Sequence, residues 1–175
     1  MKSGITVVCP TWNSEEYIER ALQSVFVQND KPEESIFVDD GSTDNTRQIL
    51  ESWRSRFDSC NIKFIIIKNT HLGPGASRNS GIRCATQEWV AFLDSDDYWN
   101  ADKIGVVRAA IRDNRSKNLF LHWEEYERLN GERISMRHGV QYKETSLLSK
   151  QLYKDNFFST SAIVCKKKLL DDYVG

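Results

Sequence analysis

Residues 36–57 read IFVDDGSTDNTRQILESWRSRF, and the succession of residue types within them decides the fold. Ile36-Phe37-Val38 is apolar without alternation, as expected of a strand covered on both faces in a parallel sheet. Asp39-Asp40-Gly41-Ser42 breaks the run, and from Thr43 to Phe57 apolar residues return at helical spacing through Ile49, Leu50, Trp53 and Phe57. Strand, loop and helix in one stretch predict a second, parallel strand after the helix, since parallel neighbours need a crossover between them.

The same grammar extends outward in both directions. Upstream, Ile5 to Cys9 (ITVVC) is a strand stopped by Pro10. Ser14 follows as an N-cap, with Glu15 and Glu16 in the first turn and Tyr17, Ile18, Ala21, Leu22, Val25 and Phe26 on one helical face. Downstream, Lys63 to Lys68 (KFIIIK) is a third strand, Gly73-Pro74-Gly75 a turn, Ala76 to Ala85 a helix and Trp89 to Leu93 a fourth strand running into Asp94-Ser95-Asp96-Asp97. A helix over about 101–114 completes an α/β, doubly wound and mostly parallel sheet. Beyond it, Leu119–Leu129 and Arg133–Val140 flank Asn130-Gly131, the signal of a type I′ hairpin, so the C-terminal part adds antiparallel pairing. A helix around 146–153 and a strand at Ser161–Cys165 are expected before the basic run Lys166–Lys168.

A chain of 175 residues suits one such domain, at roughly 100–200 residues per domain. Lysine plus arginine number 24 against 25 for aspartate plus glutamate, a formal charge of −1, so no global field recruits nucleic acid. The four cysteines are far apart and form no metal-binding or disulfide pattern, which fits a reducing, cytoplasmic setting. No apolar run approaches the ~20 residues of a membrane span. Lys166–Lys168 reads as a solvated face and is the one run that could bring the chain peripherally to an anionic membrane surface.

In open α/β sheets ligands sit at the carboxyl ends of the strands, where the strand order reverses. Those ends supply Pro10-Thr11-Trp12-Asn13, Asp39-Asp40, the segment Gly73 to Asn79 with Arg78, and Asp94-Ser95-Asp96. Neighbouring carboxylates repel unless screened, and Mg²⁺ or Mn²⁺ held by one or two of them with a ligand's phosphates is the natural screen. An aspartate of the Asp39-Asp40 pair can accept the ring N–H of a nucleotide base, Trp12 can stack on a base or ribose, and Arg78 can pair with a diphosphate. Each has a plainer reading: helix caps and turns for the aspartates, core rim for Trp12 and a surface ion pair for Arg78. His71, His122 and His138 lack metal spacing and read as structural or exposed.

Together and in this order, VVCPTWN at 7–13, FVDDGSTDNT at 37–46, GPGASRNSGI at 73–82 and FLDSDDYWNADKI at 92–104 resemble the inverting glycosyltransferases of family 2, which have the nucleotide-sugar-binding GT-A fold. The resemblance covers nearly the whole chain, as a single GT-A domain with a donor-binding part at 1–114 and a partial acceptor-side part at 115–175. It implies that Pro10, Trp12 and Asn13 line the nucleoside pocket, that Asp40 contacts the base with Asp39 as its structural neighbour, and that Arg78 and Asn79 lie near the nucleotide. Ser77 stands where the family usually has alanine. The D-x-D motif falls on Asp94, toward the ribose, and Asp96, the ligand of a divalent cation, Mg²⁺ or Mn²⁺. The implied donor is a UDP-, GDP- or dTDP-linked sugar and the implied acceptor a glycan or lipid-linked hydroxyl, in cell-surface polysaccharide or glycolipid synthesis at the inner face of the membrane.

The family's general base lies on a later segment and is expected beyond Gly175, so neither Asp171 nor Asp172 is assigned that role. Two alternatives follow. A nucleotide-sugar-binding module without turnover fits a chain that lacks the base. A sugar-phosphate nucleotidyltransferase would carry a glycine-rich phosphate loop after the first strand, where this chain has Pro10-Thr11-Trp12-Asn13.

Overall fold

The computed structural model describes residues 3–128, 130–136 and 159–172. Four strands, β1 (Ile5–Thr11), β2 (Glu34–Asp39), β3 (Lys63–Lys68) and β4 (Trp89–Phe92), are parallel. Helices α1 (Ile18–Phe26), α2 (Thr46–Ser52), α3 (Arg54–Ser59), α4 (Pro74–Cys84) and α5 (Lys103–Asp113) join or follow them. Three short strands come next, β5 (Leu119–Leu121), β6 (Glu124–Glu127) and β7 (Arg133–Met136), and then a 3-10 turn at Thr160–Ala162, β8 (Ile163–Lys166) and α6 (Lys167–Asp171). The main sheet has the order β3-β2-β1-β4-β8-β5, with β8 antiparallel to both its neighbours, while β6 and β7 form a separate antiparallel pair.

Alternation along buried strands feeds two cores. Ile5, Val7, Cys9, Phe37, Trp89 and Ala91 pack with Ile18, Leu22, Leu50, Phe57, Ile104 and Ile111 from α1, α2, α3 and α5. Val8, Ile36, Val38, Val90 and Phe92 face the other way, onto Ile82 of α4. On that side helix and sheet nearly touch: a Cβ on Gly81 would lie 2.5 Å from Val8 Cγ1 and 3.4 Å from Val38 Cγ2. Buried Glu34 links three segments, accepting from Thr6 Oγ1 at 2.7 Å, Thr86 N–H at 2.9 Å, Thr86 Oγ1 at 3.0 Å and Lys63 Nζ at 2.9 Å.

Several expectations are corrected. The helix read over 43–57 is two helices broken at Trp53, whose ring is held by Phe26 and Phe57 and covered by the Arg56 guanidinium at 4.4 Å. Pro10 does not end β1, and Pro74 opens α4 rather than sitting in a turn before it. The Ser14 hydroxyl does not cap α1; its backbone carbonyl receives the N–H groups of Tyr17 and Ile18 instead. The strand expected over Leu119–Leu129 is instead two, Leu119–Leu121 in the main sheet and Glu124–Glu127 in the separate pair, with residue 129 outside the described residues, and of the Asn130-Gly131 pair only Gly131 has positive φ, at 80°, so the turn is not type I′. Arg128 and Glu132 close the loop instead, with Gly131 N–H donating to Arg128 C=O. Ser161 and Ala162 lie in the 3-10 turn, before the strand. The helix expected at 146–153 and the stretch 137–140 lie outside the described residues.

Candidate active site

The strand order reverses between β1 and β4, and there β1 outruns its neighbour. Pairing with β4 ends at Val8↔Phe92, whereas pairing with β2 continues to Thr11↔Asp39. The Thr11 carbonyl accepts Asp40 N–H on the β2 side and the Val8 carbonyl accepts Leu93 N–H on the β4 side. Pro10 therefore turns its donor-less nitrogen toward the side where β4 has ended, and costs no ladder bond.

This crevice is a cavity of about 300 Å³, walled by Pro10, Thr11 and Trp12 after β1, Asp40 after β2, and Asp94, Ser95 and Asp96 after β4. His71, Gly73, Pro74, Ser77 and Arg78 complete it from the β3–α4 connection and the first turns of α4. Of the nine residues that the sequence places at substrate and metal, six, Pro10, Trp12, Asp40, Arg78, Asp94 and Asp96, meet here, and Asn79 is not among the lining residues. Asn13 and Asp39 do not line the cavity; they brace it. Asn13 (φ 45°) accepts Thr43 N–H at 2.8 Å and donates its own N–H to Ser42 Oγ at 3.0 Å, while buried Asp39 accepts Ser42 N–H at 3.0 Å.

Asp40 is buried, and its two oxygens accept the N–H groups of Leu72 and Gly73 at 2.8 and 2.7 Å. The carboxylate thus shapes the loop that delivers the N-terminus of α4 to the cavity. Gly41 (φ 78°) is needed for this approach, since a Cβ there would lie 3.2 Å from the His71 nitrogen in a conformation unfavourable to L side chains. Trp12 is half exposed and leans on His71, ring centroids 4.6 Å apart. Arg78 Nη2 meets Asp94 Oδ1 at 2.6 Å, and its buried Nε has no hydrogen-bond partner among the described residues.

The Asp94–Asp97 loop is held from two sides. Ser14 Oγ and Ser95 Oγ are 2.8 Å apart, joining the β1 and β4 loops across the crevice. Ser161 Oγ accepts Asp94 N–H at 2.9 Å and donates to Asp97 Oδ2 at 2.5 Å. Burial, then the charges of Asp96, Asp94 and Glu124, push the Asp97 carboxyl up against the Ser161 hydrogen bond. Asp96 is exposed, and no such hydrogen bond holds its carboxylate among the described residues.

Asp96 also borders a second cavity, of about 520 Å³, between the β4–α5 connection and the β6–β7 hairpin. Tyr98, Trp99, Lys103, His122, Trp123 and Tyr126 are among its walls. The His122 ring nitrogens lie 2.8 and 3.0 Å from the carbonyl oxygens of Trp123 and Ser161. Burial, with Lys103 nearby, lowers the imidazole's pKa in spite of those contacts. Burial drives the Lys103 amine down to about 7, against an opposing pull from Glu124. The sequence did not nominate His71, Ser161, Lys103 or His122. His71 and Ser161 are lone residues whose partners come from distant segments, and Lys103 and His122 stand out only through a burial that the fold imposes, so no spacing announces any of them.

The sequence model described as "Glycosyl transferase family 2" matches residues 6–174. The poly(ribitol-phosphate) beta-N-acetylglucosaminyltransferase TarS of Staphylococcus aureus is 39% identical over 118 residues, 66% of this chain and 20% of that protein. The putative teichuronic acid biosynthesis glycosyltransferase TuaG of Bacillus subtilis is 36% identical over 103 residues, 59% of this chain and 40% of that protein. The crystal structure of S. aureus TarS 1–349 in complex with UDP superposes with a TM-score of 0.71 at 30% identity, covering 97% of this chain and 48% of that one. The chain thus spans less than half the length of these relatives.

Proposed function

Since the chain belongs to glycosyl transferase family 2, we propose that its first cavity binds a nucleotide-diphospho-sugar, from which the sugar passes with inversion to an acceptor hydroxyl. The observation that carries this reading is the convergence of Trp12, Asp40, Arg78, Asp94 and Asp96 on one cavity at the strand-order switch. TarS holds UDP on the same fold, which favours uridine over guanosine or thymidine. Relatives named for teichuronic acid and poly(ribitol-phosphate) favour an acceptor on a cell-surface polymer.

In this reading Trp12, backed by His71, lies against the base, and Asp40, which keeps lone pairs beyond those held by Leu72 and Gly73, meets its ring N–H. The N-terminus of α4 and the Arg78 guanidinium face the diphosphate. Asn13 and Asp39 act through the loops they brace. Asp94 and Asp96 fit a hard divalent cation: they are oxygen donors on one cavity wall, Asp96 is free of the clamps that hold its neighbours, and two carboxylates suit an ion that takes its other ligands from phosphate and water. Such an ion, Mg²⁺ or Mn²⁺, would offset charge on the departing diphosphate. Arg78 would do the same from the protein side, moving from Asp94 toward phosphate oxygen.

Calorimetric titration with the diphosphates of uridine, guanosine and thymidine, each with and without Mn²⁺, tests the reading. Saturable binding of one of them that needs the metal is expected. Absence of binding by all three would refute the donor assignment.

A further inference from the structure

Lys103 carries a buried amine that hydrogen-bonds to no carboxylate among the described residues. Its side chain is 8% exposed, it lines the second cavity, and its Nζ has no hydrogen-bond partner among the described residues. The Trp99 ring, its centroid 5.1 Å from Nζ, covers one side. Burial penalises the ammonium form in such surroundings, and an anion seated on the amine would offset that penalty.

The cavity also holds carboxylates, but they are engaged elsewhere or face solvent. Asp97 takes the Ser161 hydroxyl, Glu127 takes the Tyr98 hydroxyl and lies 3.8 Å from Arg133, and Glu125 lies 4.0 Å from Arg133. Asp96 and Asp102 are exposed. Glu124 acts on Lys103 through its charge without hydrogen-bonding Nζ, His122 is turned to two backbone carbonyls, and Arg20 lies over the Tyr98 ring. On the outer wall Trp123 and Tyr126 are each more than half exposed, flat apolar faces of the kind that sugar and polyol carbons cover.

We propose that this second cavity takes an acceptor segment bearing an oxyanion, phosphate or carboxylate, which seats on Lys103 Nζ while its sugar or polyol part lies against Trp123 and Tyr126. The proposal rests on the transferase reading above and adds the charge of the acceptor to it. Because Asp96 borders both cavities, the acceptor would lie beside the donor's diphosphate. At rest the amine, at about 7, is largely neutral above neutral pH, so an arriving anion draws a proton onto it.

The test uses matched probes on the whole chain: glycerol 3-phosphate against glycerol, and glucuronate against glucose. Calorimetry at pH 8 in buffers of different ionisation enthalpy reads affinity and proton uptake together. At least a tenfold preference for one charged probe is expected, with uptake approaching one proton per site; whichever charged probe is preferred identifies phosphate or carboxylate. Lys103→Met should erase the preference and Lys103→Arg should keep most of it. Equal affinity for charged and neutral probes, no binding of either charged probe, or a preference that survives Lys103→Met overturns the proposal. Should Lys103→Met not fold, the wild-type probe preference and proton uptake decide the matter. A parallel titration with uridine diphosphate and Mn²⁺ separates the two readings: if it binds and the probes fail, only the anion seat is wrong, and if it fails, the donor assignment is.

Discussion

An exposed carboxylate contributes little to a folded core, so Asp96→Ala should leave the unfolding free energy of the chain within about 0.5 kcal/mol of wild type while removing the metal dependence of nucleoside diphosphate binding. Calorimetry with and without Mn²⁺ checks it, and unchanged metal-dependent affinity would show that the ion is held elsewhere. Arg78 is different because it neutralises Asp94 at 2.6 Å. Arg78→Met leaves two carboxylates facing the cavity without their cation. Loss of a charge-assisted bond of about 1.5–3 kcal/mol predicts diphosphate affinity lower by roughly 10- to 100-fold. Arg78→Lys should recover only part of it, since the planar fork is gone. Asp40, Asp94 and Asp96 were legible in the sequence because strand ends are where an α/β sheet presents ligands, and three carboxylates there need a reason. His71 was not, because only the fold brings its ring to Trp12.

Helix α4 carries Arg78 to the cavity, and the depth of its seat depends on Gly81. Adding a methyl group 2.5 Å from Val8 Cγ1 must push helix from sheet, so Gly81→Ala should cost about 1–3 kcal/mol by denaturant unfolding and weaken nucleotide binding through the displaced Arg78. Glu34 ties the element before β4 to β1 and β2. Burial alone would raise its carboxyl, yet the bonds from Lys63, Thr6 and Thr86 outweigh it and hold the pKa below the usual range. A carboxyl lowered in the folded state stabilises above its unfolded pKa, near 4.3, and that contribution disappears as pH falls through the folded value. Glu34→Gln should therefore cost about 1–3 kcal/mol at pH 7 and flatten the acid limb of the stability curve below about pH 4. Elements with one dominant pattern were readable: β3 runs over Lys63–Lys68 as its sequence states. The break at Trp53 was not, because Ile49, Leu50, Trp53 and Phe57 keep helical spacing through it and the cause is how Trp53 packs against Phe26 and Phe57. The β6–β7 turn was misread for a related reason: Asn-Gly favours a two-residue loop, but the Arg128–Glu132 closure makes it longer.

At the scale of the molecule, the mostly parallel sheet with its reversal between β1 and β4 followed from repeated strand-loop-helix units, and it agrees with the GT-A fold that the family resemblance implied. The strand read near Ser161–Cys165 is β8, but no local pattern contained its place, antiparallel between β4 and β5, which brings Ser161 to the Asp94–Asp97 loop. Its pairing with β4 joins residues more than seventy positions apart in sequence, for example Val90 with Cys165. A ligand that binds only the folded chain should raise its thermal midpoint. At a hundredfold excess over Kd, uridine diphosphate with Mn²⁺ should add about 2.7 kcal/mol, or roughly 5–10 °C for a domain of this size, and much less without the metal. Differential scanning fluorimetry reads this directly. Asp96 stands in the wall common to both cavities, which makes that one side chain an electrical partition. A cation that neutralised it from one chamber would lower the repulsion that a negatively charged guest meets in the other, and by reciprocity each occupant would tighten the hold on its neighbour.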